Sequence, residues 1–195
     1  NLSPKKIVVV DNNENGLTEL TRDLRSSKNL DYNPFYITYP VSLLSDTFDK
    51  IYNSDKWDVV ANFSAHKHVR SEKDKISVEA LIKNNVFGAI KLLELCDNSP
   101  PKYFFSVSTD KAANPVNIMG ASKRLMEKLI LSKKNQFRVT TARFANVAFS
   151  NGSLLDGFIK RLQKKQPLSC PSDIKRFFVT PQQSGQICLL ATFLG

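Results

Sequence analysis

Apolar residues recur along the chain in two rhythms. Short continuous runs mark buried strands: Ile7-Val8-Val9-Val10 closed by Asp11, Trp57-Asp58-Val59-Val60-Ala61-Asn62, Tyr103-Phe104-Phe105-Ser106-Val107, and Arg138 to Phe144. A further strand is predicted from Tyr32 to Tyr39, interrupted by Asn33-Pro34. Between these runs the apolar residues step by three and four, as on one face of a helix. Helices are predicted over Glu14–Ser26, Leu43–Tyr52, Ile76–Cys96, Ile118–Lys133, Leu154–Lys165 and Gln182–Leu194. Strands alternating with helices predict an α/β fold: a doubly wound parallel sheet with helices on both faces.

The most informative stretch runs from Ser106 to Lys123. A buried strand breaks there into Ser108-Thr109-Asp110-Lys111, and Asn114-Pro115 marks a loop before the next helix. On that helix Ala121, Leu125, Met126, Leu129 and Ile130 form the predicted buried stripe, with Arg124, Glu127 and Lys128 opposite. Lys123 falls at the edge of the stripe, close to Met119. Two readings stay open for it. Its stem lies along apolar surface while its amine reaches water, or its amine works at the strand end. Ligands of open α/β sheets bind beyond the carboxyl ends of the strands.

The 195 residues fit one domain, taken as 1–195. Three widely spaced cysteines, Cys96, Cys170 and Cys188, give neither a disulfide framework nor a metal-binding pattern. No metal is expected, and the expected compartment is reducing and cytoplasmic. The net charge of +10 is spread over dispersed lysines and arginines without a nucleic-acid motif. A nucleic-acid partner is therefore not expected, whereas a small anionic ligand needs only a few of these charges. The longest apolar run, Ile187 to Leu194, is too short to span a bilayer, and no signal peptide is read at the start.

Val107-Ser108-Thr109-Asp110-Lys111-Ala112-Ala113-Asn114-Pro115, followed by Met119-Gly120-Ala121-Ser122-Lys123-Arg124, resembles the extended short-chain dehydrogenase/reductase family. Within it the sequence is most similar to the CapD-like UDP-N-acetylglucosamine 4,6-dehydratases of polysaccharide biosynthesis. The superfamily's Tyr-x-x-x-Lys pair stands here as Met119-x-x-x-Lys123. The resemblance implies a Rossmann-like fold that is N-terminally incomplete, because no Gly-x-Gly-x-x-Gly occurs and Ile7–Asp11 matches the family's second strand. It implies that about one βα unit, roughly thirty residues, precedes this chain in the family. The chain alone is then expected to bind NAD weakly or not at all.

The same resemblance assigns roles. Asp11 would meet the adenosine ribose hydroxyls and favour NAD over NADP, although Asp11-Asn12-Asn13 also reads as a plain turn. Ser64, Ala65, Lys67, Asn85, Ser108 and Lys123 would line the cofactor site. Lys67 and His68 match the family pattern, whereas Phe63 and His66 depart from it. Asn85, in Asn85-Val86-Phe87-Gly88, either orients the catalytic strand or satisfies a buried polar need. Thr109 would hydrogen-bond the sugar's C4 oxygen, Asp110 would be the acid for the departing C6 hydroxyl, and Lys111 the base at C5. Lys67 would be the neighbouring cation that prepares Lys111. Asn146, Ser153 and Arg176 would contact the diphosphate sugar, residues 147–195 contributing to the substrate side. The partner implied is a UDP-sugar, within a homo-oligomer. A UDP-sugar epimerase, or a non-catalytic fragment lacking the phosphate-binding loop, is the alternative.

Overall fold

The computed structural model describes residues 4–27, 35–67, 72–170, 172–173 and 175–195. His68 and the Tyr32–Pro34 part of the expected second strand lie outside them. The chain divides into two compact units, Asn1–Lys56 with Lys91–Ser99, and Trp57–Ile90 with Pro100–Gly195.

In the first unit, β1 (Lys6–Val10) pairs in parallel with β2 (Phe35–Tyr39). Between them runs α1 (Glu14–Ser26), capped by the Asn13 side chain, which accepts from Gly16 N. Ser45 caps α2 (Asp46–Asn53) in the same way by accepting from Phe48 N. The Tyr52 hydroxyl donates to the Ser99 carbonyl at 3.0 Å.

The second unit holds a parallel sheet in the order β3 (Val59–Asn62), β4 (Tyr103–Thr109), β5 (Arg138–Phe144). Pairing sets Asn62 opposite Ser106, Ser108 opposite Arg143, and Thr109 opposite Phe144. Side chains alternate across the sheet, so β4 has two faces with different partners. Phe105 and Val107 pack with Ala142, Phe144, Cys188 and Ala191 against α7 (Pro181–Leu194). Ser106 and Ser108 face α5 (Ile118–Leu131): the Ser106 hydroxyl lies 3.7 Å from the Met126 sulfur. This sheet is therefore wound on both faces, as expected. Among the described residues the paired strands are grouped as β1–β2, β3–β4–β5 and a short third pair, each parallel.

Other departures have local causes. The single helix expected over 76–96 is α3 (Lys75–Ile82), a π-helical stretch Lys83–Phe87, and α4 (Gly88–Asn98). Single π turns are frequent at functional sites. Two short strands escaped the sequence, β6 (Asn146–Val147) and β7 (Phe178–Val179), too brief to carry a hydrophobic rhythm. Between them lies α6 (Leu154–Gln163), after a turn with Phe149 at φ 57° and Gly152 at φ 72°.

The largest correction concerns α5. Its buried residues are Met119, Gly120, Ser122, Lys123, Met126, Glu127 and Ile130. Ala121 and Leu125, expected inside, are exposed, and Glu127, expected outside, is buried. The ion pair from Glu127 on this helix to Arg143 on β5 accompanies this rotation. Gly120 permits the close approach: an added Cβ would stand 2.7 Å from the Lys111 carbonyl oxygen. Gly120→Ala gains helix propensity, up to about 1 kcal/mol, but the clash with backbone should exceed it, for a net loss of about 1–3 kcal/mol. Denaturant titration should show a lower midpoint, and a higher one would mean that the turn and helix are not in contact.

Candidate active site

The carboxyl ends of β3 and β4 meet the start of α5. Beyond Thr109 the chain makes one 3-10 turn, Asp110–Ala112, with Thr109 as its cap. Asp110 Oδ1 accepts from the Thr109 hydroxyl at 2.9 Å, from Lys111 N at 2.9 Å and from Lys111 Nζ at 3.4 Å. Partial burial opposes ionisation of Asp110, but these donors outweigh it and hold its carboxyl below the usual range. In this state Asp110 is a carboxylate and an acceptor. Arg124 Nη1 donates to the Ala112 carbonyl at 3.2 Å, tying the turn to α5.

Lys123 lies inside this arrangement, 4% exposed. Its Nζ donates to the Val107 carbonyl at 2.9 Å and lies 3.4 Å from the Met126 sulfur. The amine therefore does not reach water, which removes the surface reading left open by the sequence. Burial pushes its pKa down to about 8, against an opposing pull from Glu127. Four residues along α5, Glu127 is 3% exposed and receives Arg143 through both oxygens, Nε–Oε1 at 2.8 Å and Nη2–Oε2 at 2.6 Å. Ser108 Oγ faces the same carboxylate, yet it is buried without a hydrogen bond of ordinary geometry.

Of the two roles left open for Asn85, its contacts support that of a satisfied buried polar group. It is 1% exposed and sits within the π-helical stretch. Its Oδ1 accepts from His66 N at 2.8 Å, and its Nδ2 donates to the His66 carbonyl at 3.1 Å and to Ser122 Oγ at 3.0 Å. It thereby clamps the loop that follows β3 onto α5. Ahead of it, the Asn62 side chain accepts from Ser64 N at 3.1 Å and Ser64 Oγ at 2.8 Å. Ser64 and Ala65 are half-buried. Met119 is buried, and its backbone N–H donates to Glu72 Oε1 at 2.7 Å.

The remaining expected residues lie on looser ground. Lys67 Nζ donates to the Asn151 carbonyl at 2.8 Å. The cation expected to prepare Lys111 is thus engaged elsewhere, and Lys111 is paired with Asp110 instead. Asn146 sits on β6 and its Nδ2 donates to the Phe177 carbonyl at 3.2 Å, one residue from the exposed Arg176. Ser153 caps α6, accepting from Asp156 N at 3.3 Å. The chain's own Asp156 carboxylate already occupies that helix start, accepting from Gly152 N at 2.9 Å. In the first unit, Asp11 is exposed at the end of β1 and accepts from Asn13 N at 2.8 Å, the turn reading of that motif.

Sequence reasoning missed Glu72, Arg124, Glu127 and Arg143. A usable signal existed for one of them: Glu127 lies at i+4 from Lys123, so whatever buries one tends to bury the other.

Parallel strands wound on both faces, a turn of hydroxyl, acid and amine at a strand end, and a buried lysine behind it define a Rossmann-like protein of the short-chain dehydrogenase/reductase type. The chain belongs to the family described as polysaccharide biosynthesis protein, which matches residues 1–195. It is 32% identical over 200 residues to an uncharacterized membrane protein of Methanocaldococcus jannaschii, covering 99% of this chain and 57% of that protein. It is 32% identical over 131 residues to the UDP-N-acetylglucosamine 4,6-dehydratase (inverting) of Campylobacter jejuni, covering 63% of this chain and 38% of that protein. Among solved structures it resembles Pen from Bacillus thuringiensis with a TM-score of 0.82 at 23% identity, over 97% of this chain and 57% of that one. The chain thus spans little more than half of these relatives, or less. No described helix is long and apolar enough to cross a membrane.

Holding Lys123 charged in the folded chain costs roughly 3 kcal/mol at pH 7, at 1.36 kcal/mol per pH unit of displacement from 10.5 to about 8. Because its folded pKa lies below the unfolded one, the unfolded chain holds the proton more tightly. The penalty is full below about pH 8 and fades as pH rises to 10.5. Lys123→Met should therefore raise the thermal midpoint at pH 7 by several degrees, with the advantage shrinking between pH 8 and 10.5. A lower midpoint at pH 7 would mark Lys123 as a structural residue.

Proposed function

We propose that the protein containing this chain is a NAD-dependent UDP-sugar 4,6-dehydratase. Its substrate is UDP-N-acetylglucosamine, and it works at the carboxyl end of β4. The observation that carries this reading is the hydrogen-bonded run Thr109–Asp110–Lys111 in front of a buried Lys123. The 4,6-dehydratase of Campylobacter jejuni among its relatives supports the same reaction.

The residues present fit a dinucleotide. Ser108 Oγ is a buried hydroxyl that faces the Glu127 carboxylate without a hydrogen bond of ordinary geometry, so it could turn to a ligand. Lys123, Ser108, Ser64, Ala65, Lys67 and Asn85 would hold the nicotinamide side. Asp11 would hold the adenosine ribose and disfavour a 2′-phosphate by like-charge repulsion. When bound, NAD supplies a reversible hydride acceptor.

The chain's own groups move the protons. Met119 has none to exchange, so the C4 hydroxyl gives its proton to Thr109, whose own proton passes along the 2.9 Å bond to Asp110. That step turns the resting carboxylate into the acid which the C6 hydroxyl needs in order to leave as water. It also removes the anion beside Lys111, which favours the free amine that takes the C5 proton. Lys111, whose half-exposed ammonium exchanges its protons with solvent, later reprotonates C5. Lys67, Asn146, Ser153 and Arg176 are assigned to the diphosphate sugar, Arg176 through its planar fork.

Asp110→Asn keeps the size but cannot carry the proton. In the whole protein it should slow formation of the 4-keto-6-deoxy sugar by about 10²- to 10⁴-fold. Thr109→Val should slow it comparably by cutting the relay. Formation of the 4-keto-6-deoxy sugar by Asp110→Asn at the unmutated rate would overturn the assignment of Asp110 as the acid, whereas turnover of UDP-N-acetylglucosamine at the unmutated rate without that product would favour a UDP-sugar epimerase, which needs no acid at C6.

A further inference from the structure

The Asp110–Ala112 turn carries the proposed acid and base, and it lies beyond the last strand pairing. Thr109, opposite Phe144, is the final residue of β4 that the sheet holds. Two bonds close the turn on itself, Lys111 N to Asp110 Oδ1 at 2.9 Å and Ala113 N to the Asp110 carbonyl at 3.0 Å. Neither fixes its place. The attachment comes from α5. Gly120 stands against the Lys111 carbonyl, where an added Cβ would lie 2.7 Å from the oxygen. One helical turn on, Arg124 reaches back: its Nη1 donates to the Ala112 carbonyl at 3.2 Å and to the Ala113 carbonyl at 3.4 Å. Ala112 is wholly buried, so its carbonyl is out of reach of water and takes Arg124 in its place.

We propose that Arg124 is a positioning residue: by bonding the Ala112 and Ala113 carbonyls it fixes the turn against α5, so that Asp110 and Lys111 stand in place at the end of β4. The inference rests on the reading of Asp110 as the acid and Lys111 as the base. Arg124 acts through the backbone that carries those two side chains. A guanidinium suits the task. It keeps its charge throughout the pH range of a folded protein, and one of its terminal nitrogens has a hydrogen for each carbonyl. Bonds from a charged donor are stronger than neutral ones. The two carbonyls lie one and two residues after Lys111, so their displacement passes straight to Lys111. Through the bond from Ala113 N it passes to Asp110 as well. Thr109 is held by the sheet, and Lys123 by the Val107 carbonyl and the Met126 sulfur. Loss of Arg124 should therefore shift the acid and base and leave the other groups where they are. A lower kcat with KM kept is the signature of that change.

The test is amide hydrogen exchange of the whole protein, without sugar or NAD, followed by steady-state kinetics. In the unmutated protein the N–H groups of Lys111 and Ala113 should exchange at least about tenfold more slowly than those of an open loop. Exchange at the open-loop rate would overturn the proposal, and this needs no variant. In Arg124→Met both should exchange about tenfold faster while the amides of β4 keep their protection. Unchanged exchange would overturn the proposal. In the kinetics, Arg124→Met should lower kcat for the 4-keto-6-deoxy sugar by about 10- to 10²-fold. Its KM for UDP-N-acetylglucosamine should stay within about twofold. Arg124→Lys, which keeps the charge and can reach one carbonyl, should recover part of the loss. A folded Arg124→Met with a lower thermal midpoint and an unmutated kcat would show an arginine that only stabilises, and would overturn the proposal. If the unmutated protein forms no 4-keto-6-deoxy sugar, the proposed reaction falls, and the exchange rates still decide whether Arg124 holds the turn.

Discussion

A lysine ammonium removed from water is the constraint on which the second unit depends. A buried charge is tolerated only with partners, and each partner brings an element with it. The Val107 carbonyl brings β4, Glu127 fixes the rotation of α5, and Arg143 ties that helix to β5. The rotation in turn sets Gly120 against the Lys111 carbonyl, so that the Thr109–Lys111 turn lies against the start of α5. Asn85 then binds the loop after β3 to Ser122 on the same helix. Three strand ends and one helix start are thus arranged around one side chain whose burial costs stability, a cost that these contacts offset.

This explains which parts of the molecule were legible in its sequence. Strands β1, β4 and β5 and helix α1 follow from apolar rhythm alone, at or close to the bounds expected of them. Helix α5 has the right limits but the wrong face, since its buried stripe includes Ser122, Lys123 and Glu127 and leaves Leu125 outside. Hydrophobic periodicity cannot register an ion pair whose second member, Arg143, lies on the next strand, sixteen residues on from Glu127. The π-helical stretch was invisible for a related reason. Its extra residue turns Asn85 inward, and that is worthwhile only because His66 offers a donor and an acceptor there.

The site was legible in composition but not in wiring. Thr109, Asp110, Lys111 and Lys123 adjoin one strand end, as the motif implies. What the motif does not carry is the direction of the bonds. Asp110 rests as an acceptor of the Thr109 hydroxyl, and Lys67 is turned to Asn151 instead of to Lys111. In the proposed reaction Asp110, ionised at rest, would be protonated through its bond to Thr109.

The central claim is that the strand end removes water across C5 and C6 of a UDP-sugar. The measurement that bears on it most directly is incubation of the whole protein with UDP-N-acetylglucosamine and NAD in deuterium oxide, with the product analysed by mass and proton NMR. The account predicts a 4-keto-6-deoxy sugar that has lost one water and carries solvent deuterium at C5. A product of unchanged composition, inverted at C4 and with hydrogen retained at C5, would contradict it.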